Sequence, residues 1–319
     1  MKEKKLHKVM IKKEYCKRCG ICINICPTKV FEEDERGYPA VKNIEKCTGC
    51  KLCETHCPDF AVWVDNEEHP LWKYLRIEKI PHVWCPGCGI GIVLQSILRA
   101  IDKIGLDKNK IVMVSGIGCS GRMPGYVDFN TLHTTHGRAL AFATGIKLAK
   151  PDLKVIVVLG DGDGVAIGGN HLIHTARRNV PLTVILINNY IYGMTGGQVS
   201  PTTPHLSYAT TSPYGNVEYP FDVAQLVASA GGNFVARTTT YHTAIMDRFI
   251  EKALKKDGFN FVEVVSQCPT YYGRLNKKPD PFEMLSFYKK GLPLKLGVLK
   301  DEDNKTLIDL MEEVLWKSA

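Results

Sequence analysis

The chain has 319 residues, of which 45% are hydrophobic, and a formal net charge of +8. This length suits one small and one larger domain, each with its own core. No apolar run approaches the roughly 20 residues that cross a bilayer, and the start of the chain lacks the apolar region of a secretory signal. We therefore expect a soluble cytoplasmic protein without a membrane span.

The basic charge is concentrated in the first thirteen residues and in the C-terminal third. These lysines lack the interleaved aromatic side chains that stack on bases in nucleic-acid-binding proteins. We therefore expect a solvated arm or a docking edge for an acidic protein, and no nucleic-acid partner.

Two runs of cysteines with identical spacing mark the N-terminal region. In each run two residues separate successive cysteines of a group of three, and a Cys-Pro pair follows after three intervening residues. This spacing is typical of modules with two [4Fe–4S] clusters, in which the fourth cysteine of each run ligates the other cluster. The first predicted cluster is held by Cys16, Cys19, Cys22 and Cys57. The second is held by Cys47, Cys50, Cys53 and Cys26.

Zinc and disulfides are the alternative explanations for so many cysteines. A structural zinc ribbon uses two CxxC pairs, whereas each run here has three closely spaced cysteines and a Cys-Pro. Disulfide frameworks suit short secreted chains. The sequence therefore favours iron–sulfur clusters, and this region resembles the two-cluster ferredoxins of bacterial type. We expect a small α+β domain over residues 1–66 whose core depends on metal, followed by a packed connector over residues 67–84.

The remaining residues, 85–319, alternate short apolar runs with segments of helical periodicity. The predicted strands are 111–115, 154–159, 182–188, 233–237 and 261–265. The predicted helices are 90–104, 137–149, 168–178, 222–230 and 243–255. Apolar strands that alternate with helices indicate a doubly wound parallel α/β sheet. The alternation of strands and helices ends after about Pro269, and one interpretation is that the tail wraps around another chain.

The strongest signal in the larger domain is GDGD at residues 160–163, with Asn188 and Asn189 at the end of the next predicted strand. Glycines allow close backbone approach to a pyrophosphate, and anions bind at the carboxyl ends of parallel strands. Carboxylate and amide oxygens suit Mg²⁺. We predict an Mg²⁺ site formed by Asp161, Asn189 and the carbonyl of Ile191. The pattern resembles the fingerprint of thiamine diphosphate enzymes, and it lacks the GxGxxG of dinucleotide-binding folds.

Four further cysteines lie in motifs around GDGD. The motifs are WCPGCG at 84–89, SGIGCSGR at 115–122, LHTTHGRA at 132–139, YGMTGGQVSPTTP at 192–204 and QCPTYYGR at 267–274. With GDGD they resemble the β subunits of 2-oxoacid:ferredoxin oxidoreductases over residues 80–290. The resemblance implies a third [4Fe–4S] cluster beside thiamine diphosphate, held by Cys85, Cys88, Cys119 and Cys268. Isolated cysteines are also common as small buried hydrophobic residues, and this alternative is most open for Cys268.

The resemblance places His136 near the cofactor, where it is predicted to contact the diphosphate; a structural histidine at a helix start is the alternative. Arg122 lies three residues after Cys119, close to the proposed reaction centre, and is predicted to pair with the substrate carboxylate; a surface arginine is the alternative. Both are candidate catalytic residues. Thr195 is predicted to hydrogen-bond the diphosphate, and Asp163 either binds the cofactor or only stabilises its turn. The predicted cofactor contacts are Gly118, Cys119, Ser120, His136, Gly160, Asp161, Gly162, Asp163, Asn189, Ile191 and Thr195.

The implied reaction is the coenzyme A-dependent oxidative decarboxylation of a 2-oxoacid, with electrons passed singly to ferredoxin. The motifs THGRALAFATG, MTGGQVSPTTP and CPTYYGR are more similar to the 2-oxoglutarate branch than to the branched-chain or pyruvate branches. The chain holds only one domain of this type. The resemblance therefore implies an α subunit, in a heterotetramer, that supplies the activating glutamate and most of the coenzyme A site, and an external ferredoxin. The alternative is a non-catalytic iron–sulfur electron-transfer protein.

Overall fold

The computed structural model describes residues 6–316. The first five residues of the predicted basic arm lie outside the described residues. Within the described part of the chain, no helix is long and apolar enough to cross a membrane.

The N-terminal unit is built from four short strands and two short helices around the cysteine loops. The elements are β1 (Val9–Ile11), α1 (Ile21–Ile25), β2 (Phe31–Glu33), β3 (Pro39–Val41), α2 (Leu52–Thr55) and β4 (Val62–Val64). β1 pairs with β4 in antiparallel register, with Val9 opposite Val64, and β2 pairs with β3. Helices of one turn are unstable alone, so the fold of this unit depends on its cysteine loops and buried side chains such as Ile21 and Phe60.

The connector is a packed segment. Leu71, Tyr74 and Leu75 are buried, and the Asp128 backbone N–H donates to the Tyr74 carbonyl at 2.8 Å. The connector therefore lies along the larger domain and carries the chain from one unit to the other with little freedom.

The larger domain is an α/β unit. Its strands are β5 (Ile111–Ser115), β6 (Asn130–His133), β7 (Lys154–Gly160), β8 (Leu182–Asn188), β9 (Ile191–Tyr192), β10 (Gln198–Val199), β11 (Phe234–Thr239), β12 (Phe259–Val265) and β13 (Gly297–Asp301). Its helices are α3 (Ile90–Ile104), α4 (Ala139–Ala149), α5 (Gly169–Arg177), α6 (Val223–Ser229), α7 (Thr243–Lys255), α8 (Pro281–Phe287) and α9 (Leu307–Met311). A seven-stranded sheet has the order β13-β11-β12-β8-β7-β5-β6. Only β13 runs antiparallel to its neighbour, so the predicted doubly wound parallel sheet is confirmed.

The central strands are buried on both faces because their side chains alternate between two helical layers. Ile156 and Val158 pack in the cluster that contains α3 and α7. Val155 and Val157 pack in the cluster that contains α4, α5 and α6. This explains why the strands read as continuous apolar runs rather than as alternating ones.

Two strands of the large sheet were not predicted. β6 has the sequence NTLH and is an edge strand with little burial, so it lacks the apolar run that marks a strand. β13 lies in the tail, where residues 297–301 return to the edge of the chain's own sheet beside β11. For these residues the interpretation that the tail wraps around another chain is wrong.

Candidate functional site

A cavity of about 130 Å³ opens at the carboxyl ends of β5, β7 and β8. All of the predicted cofactor contacts line it, because parallel strands place their C-terminal loops at one edge of the sheet. The lining includes Gly118, Cys119, Ser120, His136, Gly160, Asp161, Gly162, Asp163, Asn189, Ile191 and Thr195. The structure therefore brings all eleven of these residues together.

Asp161 is a buried carboxylate held by two hydroxyl groups. Ser200 Oγ donates to Asp161 Oδ2 at 2.6 Å, and Thr202 Oγ1 lies 2.7 Å from the same oxygen. Burial raises the pKa of Asp161, while these hydroxyls lower it. A carboxylate so far from water is stable when a cation shares its site.

The predicted cation ligands lie on the same wall. Asn189 and Ile191 line the cavity with Asp161, and Asn189 Oδ1 accepts the Ile191 N–H at 3.3 Å. A carboxylate, an amide oxygen and a backbone carbonyl are hard oxygen donors of the kind that Mg²⁺ prefers. A Cβ at Gly162 would meet the Tyr192 ring at 2.2 Å, so only glycine fits where the loop passes under the cavity. The residues present thus fit Mg²⁺ and a diphosphate.

Asp163 connects its own loop to two others by hydrogen bonds. Its Oδ1 accepts from His136 Nδ1 at 2.6 Å, from the Gly137 N–H at 2.8 Å and from the Ile117 N–H at 3.1 Å. His136 is only partly exposed and packs edge-on to Tyr192, with ring centroids 6.3 Å apart. Asp163 therefore positions the loop that carries His136 at the cavity, whether or not it also contacts a cofactor.

The third set of cysteines lies beside this cavity. Burial raises the pKa of the Cys88 thiol, and the nearby Cys268, Cys119 and Cys85 charges raise it further. Burial and the charges of Cys268, Cys85 and Asp161 raise the pKa of Cys119 to about 12. A Cβ at Gly193, in the cavity wall, would lie 3.5 Å from Cys119 Sγ and 3.9 Å from Cys268 Sγ. The four thiols are therefore neighbours of one another and of the cavity.

The N-terminal cysteines fall into the two crossed sets. Burial raises the pKa of the Cys22 thiol, and the charges of Cys57, Cys19 and Cys16 raise it further. A second small cavity is lined by Cys26, Cys47, Cys50 and Cys53. The structure thus brings Cys57 to the first run and Cys26 to the second.

All twelve cysteines are free thiols. Among residues 6–316, no three His, Cys, Asp or Glu side chains converge tightly enough for a single metal ion. A [4Fe–4S] cluster instead takes its four thiolates on four separate irons. Each set of four cysteines can therefore serve a cluster without meeting at one point.

Sequence models of two known domain families match the chain. The C-terminal TPP binding domain of thiamine pyrophosphate enzymes matches residues 116–264, and the 4Fe-4S dicluster domain matches residues 8–58. The 2-oxoglutarate synthase subunit KorB of Methanothermobacter thermautotrophicus is 54% identical over 242 residues, or 76% of this chain and 85% of that protein. This chain belongs to the β subunits of the 2-oxoacid:ferredoxin oxidoreductases. The predicted family is confirmed.

Two further similarities extend this β-subunit assignment. The 2-oxoacid:ferredoxin oxidoreductase subunit beta of Saccharolobus solfataricus is 46% identical over 190 residues, covering 59% of this chain and 62% of that protein. A solved 2-oxoglutarate:ferredoxin oxidoreductase from Magnetococcus marinus has a TM-score of 0.71 and 35% identity, and the match covers 79% of this chain and 91% of that chain. That structure contains 2-oxoglutarate, coenzyme A and succinyl-CoA.

Two predicted residues of the β subunit differ from their assigned roles in different ways. Arg122 is exposed and does not line the cavity; its role as a substrate ligand stays a prediction. Thr195 lines the cavity, but its hydroxyl donates to Gln198 Oε1 at 2.6 Å. It therefore also shapes the turn between β9 and β10.

A polar network that the sequence did not reveal joins the first cysteine set of the β subunit to the third. Lys17 Nζ lies 2.8 Å from Asp59 Oδ1 and donates to the Trp84 carbonyl at 2.8 Å. Trp84 Nε1 donates to the Cys119 carbonyl at 2.7 Å. His82 Nδ1 lies 2.8 Å from Lys17 Nζ. Each of these residues except His82 is one of the twelve cysteines or lies within two residues of one.

Proposed function

We propose that this chain is the catalytic and electron-transfer subunit of a 2-oxoglutarate:ferredoxin oxidoreductase. The reaction consumes 2-oxoglutarate, coenzyme A and two oxidised ferredoxins, and it yields succinyl-CoA, carbon dioxide, two reduced ferredoxins and a proton. The observation that carries the proposal is the third cysteine set, which lies beside the Asp161 cavity and contributes Cys119 to its wall. It gives the two electrons released by decarboxylation an acceptor at their source.

The residues of the chain divide the work. Thiamine diphosphate, when bound, would supply the decarboxylation chemistry. Asp161, Asn189 and the Ile191 carbonyl would hold its Mg²⁺, and His136 would face the diphosphate. Cys85, Cys88, Cys119 and Cys268 would hold the third [4Fe–4S] cluster.

The choice of 2-oxoglutarate rests on the relatives, several of which are named 2-oxoglutarate synthase subunits. Among the described residues that line the cavity, His136 is the one basic side chain. A substrate with two carboxylates needs more cationic groups than this. The α subunit would therefore supply them, together with the activating glutamate and most of the coenzyme A site. Branched-chain 2-oxoacids and pyruvate are the alternative substrates.

We propose that the chain works in the cytoplasm, in a heterotetramer of two α and two β subunits with an external ferredoxin. Cytoplasmic thiols stay reduced, which suits twelve cysteines that are all free.

Contacts between the cysteine loops support the order of electron transfer that we propose. A Cβ at Gly87, between Cys85 and Cys88, would lie 3.3 Å from Cys19 Cβ. The first N-terminal set is therefore the neighbour of the third set. Cys50, in the second N-terminal set, is exposed. Electrons would pass from the third cluster to the first and second, and leave near Cys50.

Lys17→Met is expected to weaken the docking of the N-terminal unit against the connector. Lys17 pairs with Asp59 inside the N-terminal unit, and its hydrogen bond to the Trp84 carbonyl reaches the connector. Loss of a hydrogen bond from a charged donor costs about 1.5–3 kcal/mol, which weakens docking about 10- to 100-fold, since about 1.4 kcal/mol corresponds to tenfold. Rapid-freeze EPR after substrate addition should show the third cluster reduced and the N-terminal clusters lagging.

Lys13→Met is the matched control for Lys17→Met. Lys13 pairs with Asp34 at 2.9 Å on the surface of the same domain, where such pairs contribute about 0–1 kcal/mol. Equal effects of the two changes would contradict the bridging role of Lys17.

A substrate panel tests the proposed function. The complex of this chain with its α subunit should reduce ferredoxin or a viologen dye with 2-oxoglutarate and coenzyme A. We expect kcat/KM for 2-oxoglutarate to exceed that for pyruvate and branched-chain 2-oxoacids by at least about tenfold, because a site built for a second carboxylate leaves buried groups unpaired with other substrates. A preference for an apolar 2-oxoacid would overturn the substrate, and reduction with none of them would overturn the reaction class.

A further inference from the structure

Asp161 lies at the end of a line of buried polar groups that crosses the sheet. The guanidinium of Arg237 donates through Nε to Glu263 Oε2 at 2.7 Å. Asn188 Nδ2 donates to Glu263 Oε1 at 2.8 Å, and Asn188 Oδ1 lies 2.9 Å from Thr202 Oγ1. The Thr202 hydroxyl then reaches Asp161 Oδ2. Arg237 and Glu263 are fully buried, and no part of the reaction described above uses them.

Each hydrogen bond in this line determines the orientation of the next side chain. Glu263 accepts only, so the Asn188 amide must present its nitrogen to Glu263 and its oxygen to Thr202. The single Thr202 proton is shared between Asn188 and Asp161, and Ser200 adds a second donor to Asp161 Oδ2. Both hydroxyls bind the same carboxylate oxygen. Neither hydroxyl binds Asp161 Oδ1.

We propose that Thr202, Ser200 and Asn188, backed by the Arg237–Glu263 ion pair, are positioning residues that aim Asp161 Oδ1 at Mg²⁺. The inference rests on the proposed cofactor site. Outer groups that orient a metal ligand typically change metal affinity or activity by about 10–100-fold when they are replaced. A buried ion pair is costly to place in a core; this one holds Asn188 and also binds the start of α6 through Asp222 and the Ala224 N–H.

The test is cation affinity, measured without turnover. The complex with its α subunit is stripped of cofactor, supplied with saturating thiamine diphosphate and titrated with Mn²⁺, whose free form is counted by EPR. Thr202→Val keeps the side-chain shape and removes the hydroxyl. We expect it to raise the Mn²⁺ dissociation constant about 10–100-fold, while Thr202→Ser stays within about threefold of wild type. Ser200→Ala should also raise the Mn²⁺ dissociation constant, and it replaces Thr202→Val as the test if that variant does not assemble with the α subunit.

Thr183→Val is the matched control. Thr183 is also a buried threonine, at the opposite end of β8, and its hydroxyl donates to the Ala253 carbonyl at 2.9 Å. It should lower the thermal unfolding temperature without changing Mn²⁺ affinity. Wild-type affinity in both Thr202→Val and Ser200→Ala would overturn the positioning role. Failure of the wild-type complex to bind Mn²⁺ with thiamine diphosphate would instead overturn the proposed cofactor site.

Discussion

Asp161→Asn is expected to lower kcat/KM for 2-oxoglutarate oxidation by at least about 100-fold. Replacement of groups that only orient a metal ligand costs about 10–100-fold, so the loss of the ligand's own charge should cost at least the upper end of that range. The isosteric amide still accepts hydrogen bonds from Ser200 and Thr202, so packing around the 3%-exposed side chain should survive. Steady-state dye reduction at varied Mg²⁺ concentration measures the effect, and excess Mg²⁺ should restore part of the activity.

Asp128→Asn is the control for Asp161→Asn. Asp128 pairs with Lys108 at 2.8 Å on the surface, where its side chain is 59% exposed, and its replacement should leave kcat/KM unchanged. An Asp161→Asn complex that keeps wild-type kcat/KM and still requires thiamine diphosphate would show that the cation is held elsewhere.

Cys268→Ala is expected to abolish substrate-driven electron transfer while leaving two clusters in place. Three clusters correspond to about twelve irons per chain, and the loss of the third leaves about eight. The N-terminal clusters should still be reduced by dithionite, but 2-oxoglutarate should reduce none of them, because their connection to the cavity is gone. Iron and sulfide analysis together with EPR measures both effects.

Cys50→Ala separates the third cluster from the exposed end of the path. Loss of the cluster that Cys50 would ligate should also leave about eight irons, yet 2-oxoglutarate should still reduce the third cluster. Twelve irons in the Cys268→Ala protein would show that Cys268 is a buried thiol and not a ligand.

The cofactor site could be predicted from the sequence because its motifs lie at fixed positions relative to the predicted strands. GDGD and the paired asparagines lie at the ends of neighbouring parallel strands, so their positions along the chain determine that they meet at one edge of the sheet. All eleven predicted cofactor contacts line one cavity for this reason. The crossed cysteine sets were predictable in the same way, from two short runs of fixed spacing.

The remaining contacts depend on segments that have no periodic pattern. Ser200 and Thr202 reach Asp161 from a loop about 40 residues further along the chain, and SPTTP carried no assigned role. Lys17 meets Trp84 only after two domains have packed together. β6 and β13 are edge strands with little apolar sequence, and edge positions do not require burial. Arg122 was placed near the reaction by sequence proximity to Cys119, and its side chain is exposed.

The central claim is that electrons from 2-oxoglutarate enter the clusters of this chain. It is tested most directly by adding 2-oxoglutarate and coenzyme A to the anaerobic complex without any external acceptor and recording the visible absorption of its clusters. We expect bleaching that requires 2-oxoglutarate, is lost in Asp161→Asn and is reversed by oxidised ferredoxin. Clusters that bleach with dithionite but do not respond to 2-oxoglutarate would contradict the account.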